Sequence, residues 1–267
     1  MIPNHLTGKE LFKWLHANKR LLIDAKKSNI KEADGFAYVA TMMKPEATKT
    51  INDDESVTAL KRQLIINTTY WFDSHRDVHI DGLWKKSLSD TDVHYLIKQH
   101  SMTFENVIDD ESKAYTRKID WRELGVDFDG KTEALIFDSN IIADRHPFMF
   151  NQYRKGYVKN HSVGMRYVDI ALAINNEDYK EEFAEWNKYI GKIANRKAVD
   201  EVGYFFPVKQ AAIVEGSAVV KGSNIITPVY GEHKSSSTIS EPEASTPEQP
   251  RYDGEKLANL FFNLNLK

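Results

Sequence analysis

The apolar positions of this chain change their period several times. From Thr7 to Lys27 they recur at near-helical spacing (Leu11, Phe12, Leu15, Leu22, Ala25) behind Thr7-Gly-Lys-Glu10, which has the spacing of a capping box. This predicts an amphipathic helix docked on the core, its lysines and Arg20 forming a solvated face. From Gly35 to Glu55 the pattern fades, and Asn52-Asp-Asp-Glu55 reads as a loop. Gln63 to Phe72 is dense in β-branched and aromatic residues and reads as a strand, as do Val93 to Gln99 and Thr132 to Phe137. Between them lie a turn-rich stretch, Asp73 to Gly82, a short helix at Leu83 to Leu88, and a charged surface segment at Lys118 to Glu123. A short helix is predicted from His146, with Pro147 in its first turn and Gly156 just past its end. Ser162 then starts a strand through Val163, Met165, Tyr167, Val168 and Ile170, where Ser162 and Gly164 interrupt the bulky series as they would where another backbone or a substrate comes close. Asn176 to about Ala198 reads as one long helix, acidic early and basic late, with Phe183, Trp186, Tyr189 and Ile193 on a core-facing stripe. Gly203 to Val220 reads as two strands with Pro207 at an edge or bend, and Gly222 to Pro228 as a turn and a last short strand. Short β-rich segments between turn signals, together with two strong helices, predict an α+β barrel of mostly antiparallel strands with the helices from His146 and Asn176 outside it.

Composition sharpens this in three places. A formal net charge of -3 over 267 residues gives no broad basic field, so nucleic acid and anionic membranes are not expected partners. The absence of cysteine excludes disulfides, thiolate nucleophiles and cysteine zinc sites, and fits a reducing compartment. No apolar run approaches the about 20 residues of a membrane span, and the polar Met1 to Leu6 lacks the form of a signal peptide, so an intracellular location is expected. After Tyr230 the composition shifts to Ser, Thr, Pro and Glu, predicting a disordered linker over 230–254 and an apolar docking segment over 255–267. The segments ahead of these are an N-terminal amphipathic helix within 1–34 and a main domain over 35–229.

Four residues carry candidate chemistry. Ser162 is a candidate nucleophile, although a lone serine at such a place is more often a small residue in a tight strand. His94 and His100 lie an even number of residues apart, face the same way on a regular strand, and can each serve as a base. Glu215 interrupts an apolar run, so it either pairs with a histidine or points to solvent from an edge strand. His161, next to Ser162, points to the opposite face and is a poor base for its neighbour. His75 and His79 have ligand spacing, but Arg76 stands where a zinc-protease motif needs glutamate and no helix is predicted, so neither a metal nor a cofactor is expected.

Taken in order, several stretches resemble the prohead proteases of tailed bacteriophages, capsid-maturation serine proteases with the fold of herpesvirus assemblin. Asp73-Ser-His-Arg-Asp77-Val, followed by Gly82-Leu-Trp-Lys-Lys-Ser-Leu88, is similar to that family's Asp-x-x-x-Asp-Val segment with its following Gly and Ser-Leu. Tyr95-Leu-Ile-Lys-Gln-His100 is similar to the strand ending in the catalytic histidine, although Gln99-His100-Ser101 stands where the family often has Asn-His-Asp. Gly156-Tyr-Val-Lys-Asn-His-Ser162-Val-Gly-Met is similar to the nucleophile segment, and Glu215-Gly-Ser217-Ala-Val219 to the strand that supplies the third member. The resemblance covers roughly residues 35 to 229 and lies in the order and spacing of these motifs rather than in any one of them, with the helix from Asn176 as an insertion. It implies a barrel of the herpesvirus-protease type surrounded by helices, a triad of Ser162, His100 and Glu215, and oxyanion donors on the loop Gly222, Ser223 and Asn224. It further implies cleavage of scaffold protein and major capsid protein precursor, and of the protease itself, inside an assembling prohead in the host cytoplasm, with self-association allowed. The alternative it leaves is a capsid-assembly or scaffold protein that kept the fold and lost catalysis; an unrelated β-rich binding protein requires the motif order to be coincidence.

Overall fold

The computed structural model describes residues 2–3, 5–28, 30–31 and 56–232, all within the unit Met1–Lys234. The loop expected at 52–55, most of the linker and the 255–267 segment lie outside the described residues. In chain order the elements are α1 (Gly8–Ala17), α2 (Lys19–Ser28), β1 (Ile30–Lys31), β2 (Ala59–Thr68), β3 (Asp77–His79), α3 (Lys85–Asp90), β4 (Val93–Lys98), β5 (Val107–Asp120), β6 (Lys131–Ile142), α4 (Pro147–Arg154), β7 (Asn160–Ile170), β8 (Ala173–Ile174), α5 (Lys180–Tyr189), α6 (Arg196–Val202), β9 (Tyr204–Val219) and β10 (Val229–Glu232).

The α+β class is as expected, but the sheet is mixed and does not close into a barrel. Its strands run in the order β1-β7-β9-β4-β5-β6-β2-β10, with β3 and β8 also paired to β9. The β3–β9 and β4–β9 pairs are parallel and the remaining pairs antiparallel. The end strands are β1 and β10, and β7 and β2, the strands next to them, do not pair with each other. An irregular segment lies between them instead: the His161 amide donates to Thr227 O and the Ile65 amide to Pro228 O, each at 3.1 Å. Proline has no amide to donate, so this segment bridges the two strands without completing a ladder.

Both faces of β2 and β6 are buried. Leu64, Ile66, Leu135 and Phe137 face one core cluster, while Ile65, Ala134 and Ile136 face a second that contains Trp121, Trp186, Tyr189 and Phe205. Such strands read as continuous apolar runs rather than alternating ones. The N-terminal segment docks on the first cluster through the fully buried Leu15, with Leu11, Phe12 and Leu22 packed beside it. Lys19 Nζ lies 2.9 Å from the buried carboxylate of Glu182 on α5.

Several element boundaries differ from the sequence reading. The first helix is two helices broken at Asn18, whose side chain donates to Trp14 O, and Thr7 occupies the N-cap position without a side-chain capping bond. The strand expected at 63–72 starts earlier and ends at Thr68, because Tyr70, at φ +57, turns the chain. Lys118–Asp120 finish the fourteen-residue β5, and Ile119 and Trp121 are buried, so the stretch expected to be a charged surface segment helps cover the second cluster. The long helix from Asn176 is α5, a 3-10 turn at Ile190–Lys192, and α6. The two strands expected around Pro207 are one, β9: Phe206 N donates to Arg76 O and Ile80 N to Val208 O, so the proline nitrogen falls between ladder bonds. The last strand is Val229–Glu232 rather than part of 222–228, so it extends into the stretch read as linker.

Candidate active site

The site begins where β4 ends. Gln99 and His100 both have φ +55, a left-handed conformation that costs a non-glycine residue about 1 to 3 kcal/mol and persists only where its surroundings enforce it. Here the Gln99 amide donates to Ala218 O at 3.0 Å, and the His100 amide donates to Ser217 Oγ at 2.9 Å. The turn delivers the His100 ring to Glu215: Nδ1 lies 2.5 Å from Glu215 Oε1, with the two side chains only 6% and 4% exposed. The other carboxylate oxygen, Oε2, accepts from the Ser217 hydroxyl at 2.8 Å. A carboxylate only accepts, so Nδ1 is the nitrogen that donates to it; in the neutral ring the lone pair is then on Nε2, which is buried without a hydrogen-bond partner.

Ser162 reaches the same face of the sheet through the β7–β9 register, in which it pairs with Ser217 and Gly164 pairs with Glu215. Directly opposed side chains in an antiparallel pair lie on one face, with Cβ atoms about 4.5 to 5.5 Å apart. Val163 and Ala218, the alternate residues, belong to the core on the other side. Ser162, Ser217, Glu215 and His100 therefore gather on one face. Among the described residues no hydrogen bond joins Ser162 Oγ to His100 Nε2, so the His–Glu link is formed and the Ser–His link is not. Catalytic bonds of this kind are often long before substrate binds.

Gly164 explains why Glu215 fits. A Cβ at this position would lie 2.1 Å from Glu215 Oε1 and 2.9 Å from Cδ, so the carboxylate occupies the space a side chain would take. The close approach inferred from the small residues of this strand is thus made by Glu215 itself.

The loop expected to supply oxyanion donors lies against the start of β7, beside Ser162. A Cβ on Gly222 would come within 2.9 Å of the carbonyl of His161, the residue before Ser162. The amides of Gly222, Ser223 and Asn224 donate to no backbone carbonyl among the described residues. Asn224 is anchored through its side chain, whose Nδ2 donates to Thr68 O and Thr68 Oγ1 while Oδ1 accepts from Ile226 N.

The structure separates the histidines. His94 and His100 do not face the same way: bulges on either side of Leu96 in the β4–β5 pairing and the left-handed turn break the alternation. The His94 ring stacks on the core residue Phe137 at 5.6 Å, and burial lowers its pKa. His161 points away from Ser162, as its parity requires; Nδ1 donates to Thr227 O at 2.9 Å, so Nε2 accepts from Tyr153 OH at 3.0 Å. Full burial pushes the His161 pKa down to about 4 from 6.5. In the unfolded chain this ring binds its proton first as pH falls, so the stability it contributes is present above pH 6.5 and is lost on the way down through pH 4. Urea unfolding at pH 7 and at pH 4.5 should differ by about 2 to 3 kcal/mol from this ring, with His94 and His146, also lowered, acting in the same direction. Equal stability at the two values would refute it.

The Asp73 to Asp77 motif lies in a structural network. Asp73 Oδ1 accepts from the amides of His75 and Asp77, and Asp77 receives Lys26 Nζ at 2.7 Å on one oxygen and Tyr167 OH on the other. Burial, then the two carboxylates, push the Tyr167 pKa well up, so it stays a donor. Asp73, Asp77 and His79 are close enough to share a cation, but a metal would have to displace an ammonium and a phenol, and His79 Nδ1 already lies 2.7 Å from Asn67 Nδ2. This is a different grouping from the His75 and His79 pair considered from spacing.

Two residues that bind the site together are not among those expected from sequence to carry its chemistry. Ser217 is two residues from Glu215 and on its face, a period-2 signal that was available; Gly164 was seen as a point of close approach but not linked to Glu215. No family model matches the chain, and neither a curated protein nor a solved structure matches it.

Proposed function

We propose that the chain is a serine endopeptidase of the phage prohead kind, cleaving scaffold and capsid-precursor segments within an assembling shell as well as itself. The observation that carries this reading is the buried His100–Glu215 pair, whose unpartnered Nε2 lies on the face of the sheet that bears Ser162.

In this reading His100 Nε2 accepts the Ser162 hydroxyl proton as Oγ bonds to the substrate carbonyl carbon, and the electron pair of the C=O bond moves to oxygen. Glu215 keeps the ring in the Nδ1–H tautomer and stabilises the imidazolium, while amides of Gly222 to Asn224 receive the oxyanion. The C–N bond then breaks, with His100 returning its proton to the departing amine. Water, activated by the same nitrogen, hydrolyses the acyl-enzyme and restores Ser162.

The unmade Ser162–His100 bond favours a second reading, a capsid-assembly or scaffold protein without catalysis. Treatment of the full chain with a fluorophosphonate, followed by peptide mass spectrometry, separates the two. The expected result is one adduct on Ser162, absent from a His100→Ala variant; an unmodified Ser162 in folded protein favours the inactive protein. Intact masses of wild type and Ser162→Ala extend the test to self-processing, which predicts shorter wild-type chains cut within residues 231–253. Intact C-termini in both, under conditions where a scaffold substrate is cut, remove that part of the proposal.

A further inference from the structure

We propose that Ser217 is a positioning residue, whose hydroxyl sets the tautomer and aim of His100 by joining the strained turn that carries the histidine to the carboxylate that orients its ring; this rests on the peptidase reading above. Three hydrogen bonds close into a ring. The His100 amide donates to Ser217 Oγ, the Ser217 hydroxyl donates to Glu215 Oε2, and His100 Nδ1 donates back to Glu215 Oε1. A serine hydroxyl has a single proton, and because Oγ receives the amide, that proton is committed to Glu215. With Oε2 held in this way, Oε1 is directed at Nδ1, which leaves Nε2 as the acceptor.

The backbone gives the second reason. Gln99 and His100 both occupy the left-handed region, which non-glycine residues adopt rarely and for which no glycine is provided here. The Gln99 amide is held by Ala218 O, but the His100 amide is held by the Ser217 side chain, so the conformation that aims the ring depends on a hydroxyl two residues from the carboxylate. Ser217 is fully buried and pairs with Ile97 on one neighbouring strand and Ser162 on the other. A residue that merely filled this position would leave the ring's protonation pattern unaffected when its oxygen was removed.

The test uses the full chain with 15N-labelled histidine, as wild type, Ser217→Ala and Ser217→Thr, each checked for folding by circular dichroism and thermal melting. In wild type, His100 should show ring nitrogen shifts of the Nδ1–H tautomer and a downfield Nδ1 proton. Ser217→Ala should mix the tautomers and speed exchange of that proton about tenfold or more. Its kcat should fall about 10- to 100-fold at nearly unchanged KM. Ser217→Thr, which keeps the hydroxyl, should restore the signal. A folded Ser217→Ala that retains both the tautomer and the slow proton overturns the proposal. If Ser217→Ala does not fold, the threonine variant decides, and loss of the signal in folded protein overturns it. Should wild type prove inactive on peptides while the ring signals respond as stated, the peptidase reading fails and the positioning role stands.

Discussion

Ser162→Ala and His100→Ala should each lower peptide-bond cleavage by about a million-fold, and the double variant should be scarcely worse, because nucleophile and base act as one unit. Glu215→Ala should retain about a hundred times more activity than either, since an orienting carboxylate contributes less than the groups that exchange the proton. In the proposed mechanism the buried pair at 2.5 Å and the unpartnered Nε2 favour His100 as the base over His94, which stacks on Phe137 in the core. His94→Ala should therefore cost stability rather than chemistry, with turnover per folded molecule within about threefold of wild type. Turnover of the four variants, corrected for folded fraction, is the measurement. Activity in His100→Ala together with inactivity in folded His94→Ala would reassign the base.

Gly164→Ala should lower activity about as far as Glu215→Ala, roughly ten-thousand-fold, without touching a group that exchanges a proton. The added methyl would sit 2.1 Å from Glu215 Oε1, so the carboxylate must leave its place, and its bonds to His100 Nδ1 and Ser217 Oγ go with it. A double-mutant cycle isolates this cause. If the glycine matters only by making room for the carboxylate, Gly164→Ala combined with Glu215→Ala should be no less active than Glu215→Ala alone, because the methyl then fills vacated space. Additive losses would mean that Gly164 has another role, such as close approach of substrate, and near-normal activity in Gly164→Ala would show that Glu215 is not needed where the structure places it.

The side chains of the candidate site and many of the strands could be read directly from residue types. Ser162 and Gly164 stand out as small residues in a bulky strand, Glu215 as a charge inside an apolar run, and His100 as a histidine at a strand end. These are local signals, because each depends on a residue differing from its immediate neighbours. The strand β5 was invisible for the same reason: its buried positions, such as Ala114 and Ile119, are scattered among charged residues and make no periodic run. So was the break of the long helix after Tyr189, where the chain turns to place Ile193 and Val199 in the second core.

Long-range contacts decided everything that depends on aim. A sequence gives no warning that Gln99 and His100, neither of them glycine, will take left-handed conformations, because the bonds that hold them come from Ser217 Oγ and Ala218 O, more than a hundred residues away. The bulges beside Leu96 together with that turn, rather than strand parity, separate His94, in the core, from His100, at Glu215. Where β7 and β2 come near each other, the Thr227 and Pro228 carbonyls each accept an amide from one of them, so the partner of these strand edges is likewise a segment distant in sequence. Periodicity reports which face of a strand is buried; the direction of a side chain at a strand end, and the partner of a strand edge, are set by atoms that become neighbours only when the chain has folded.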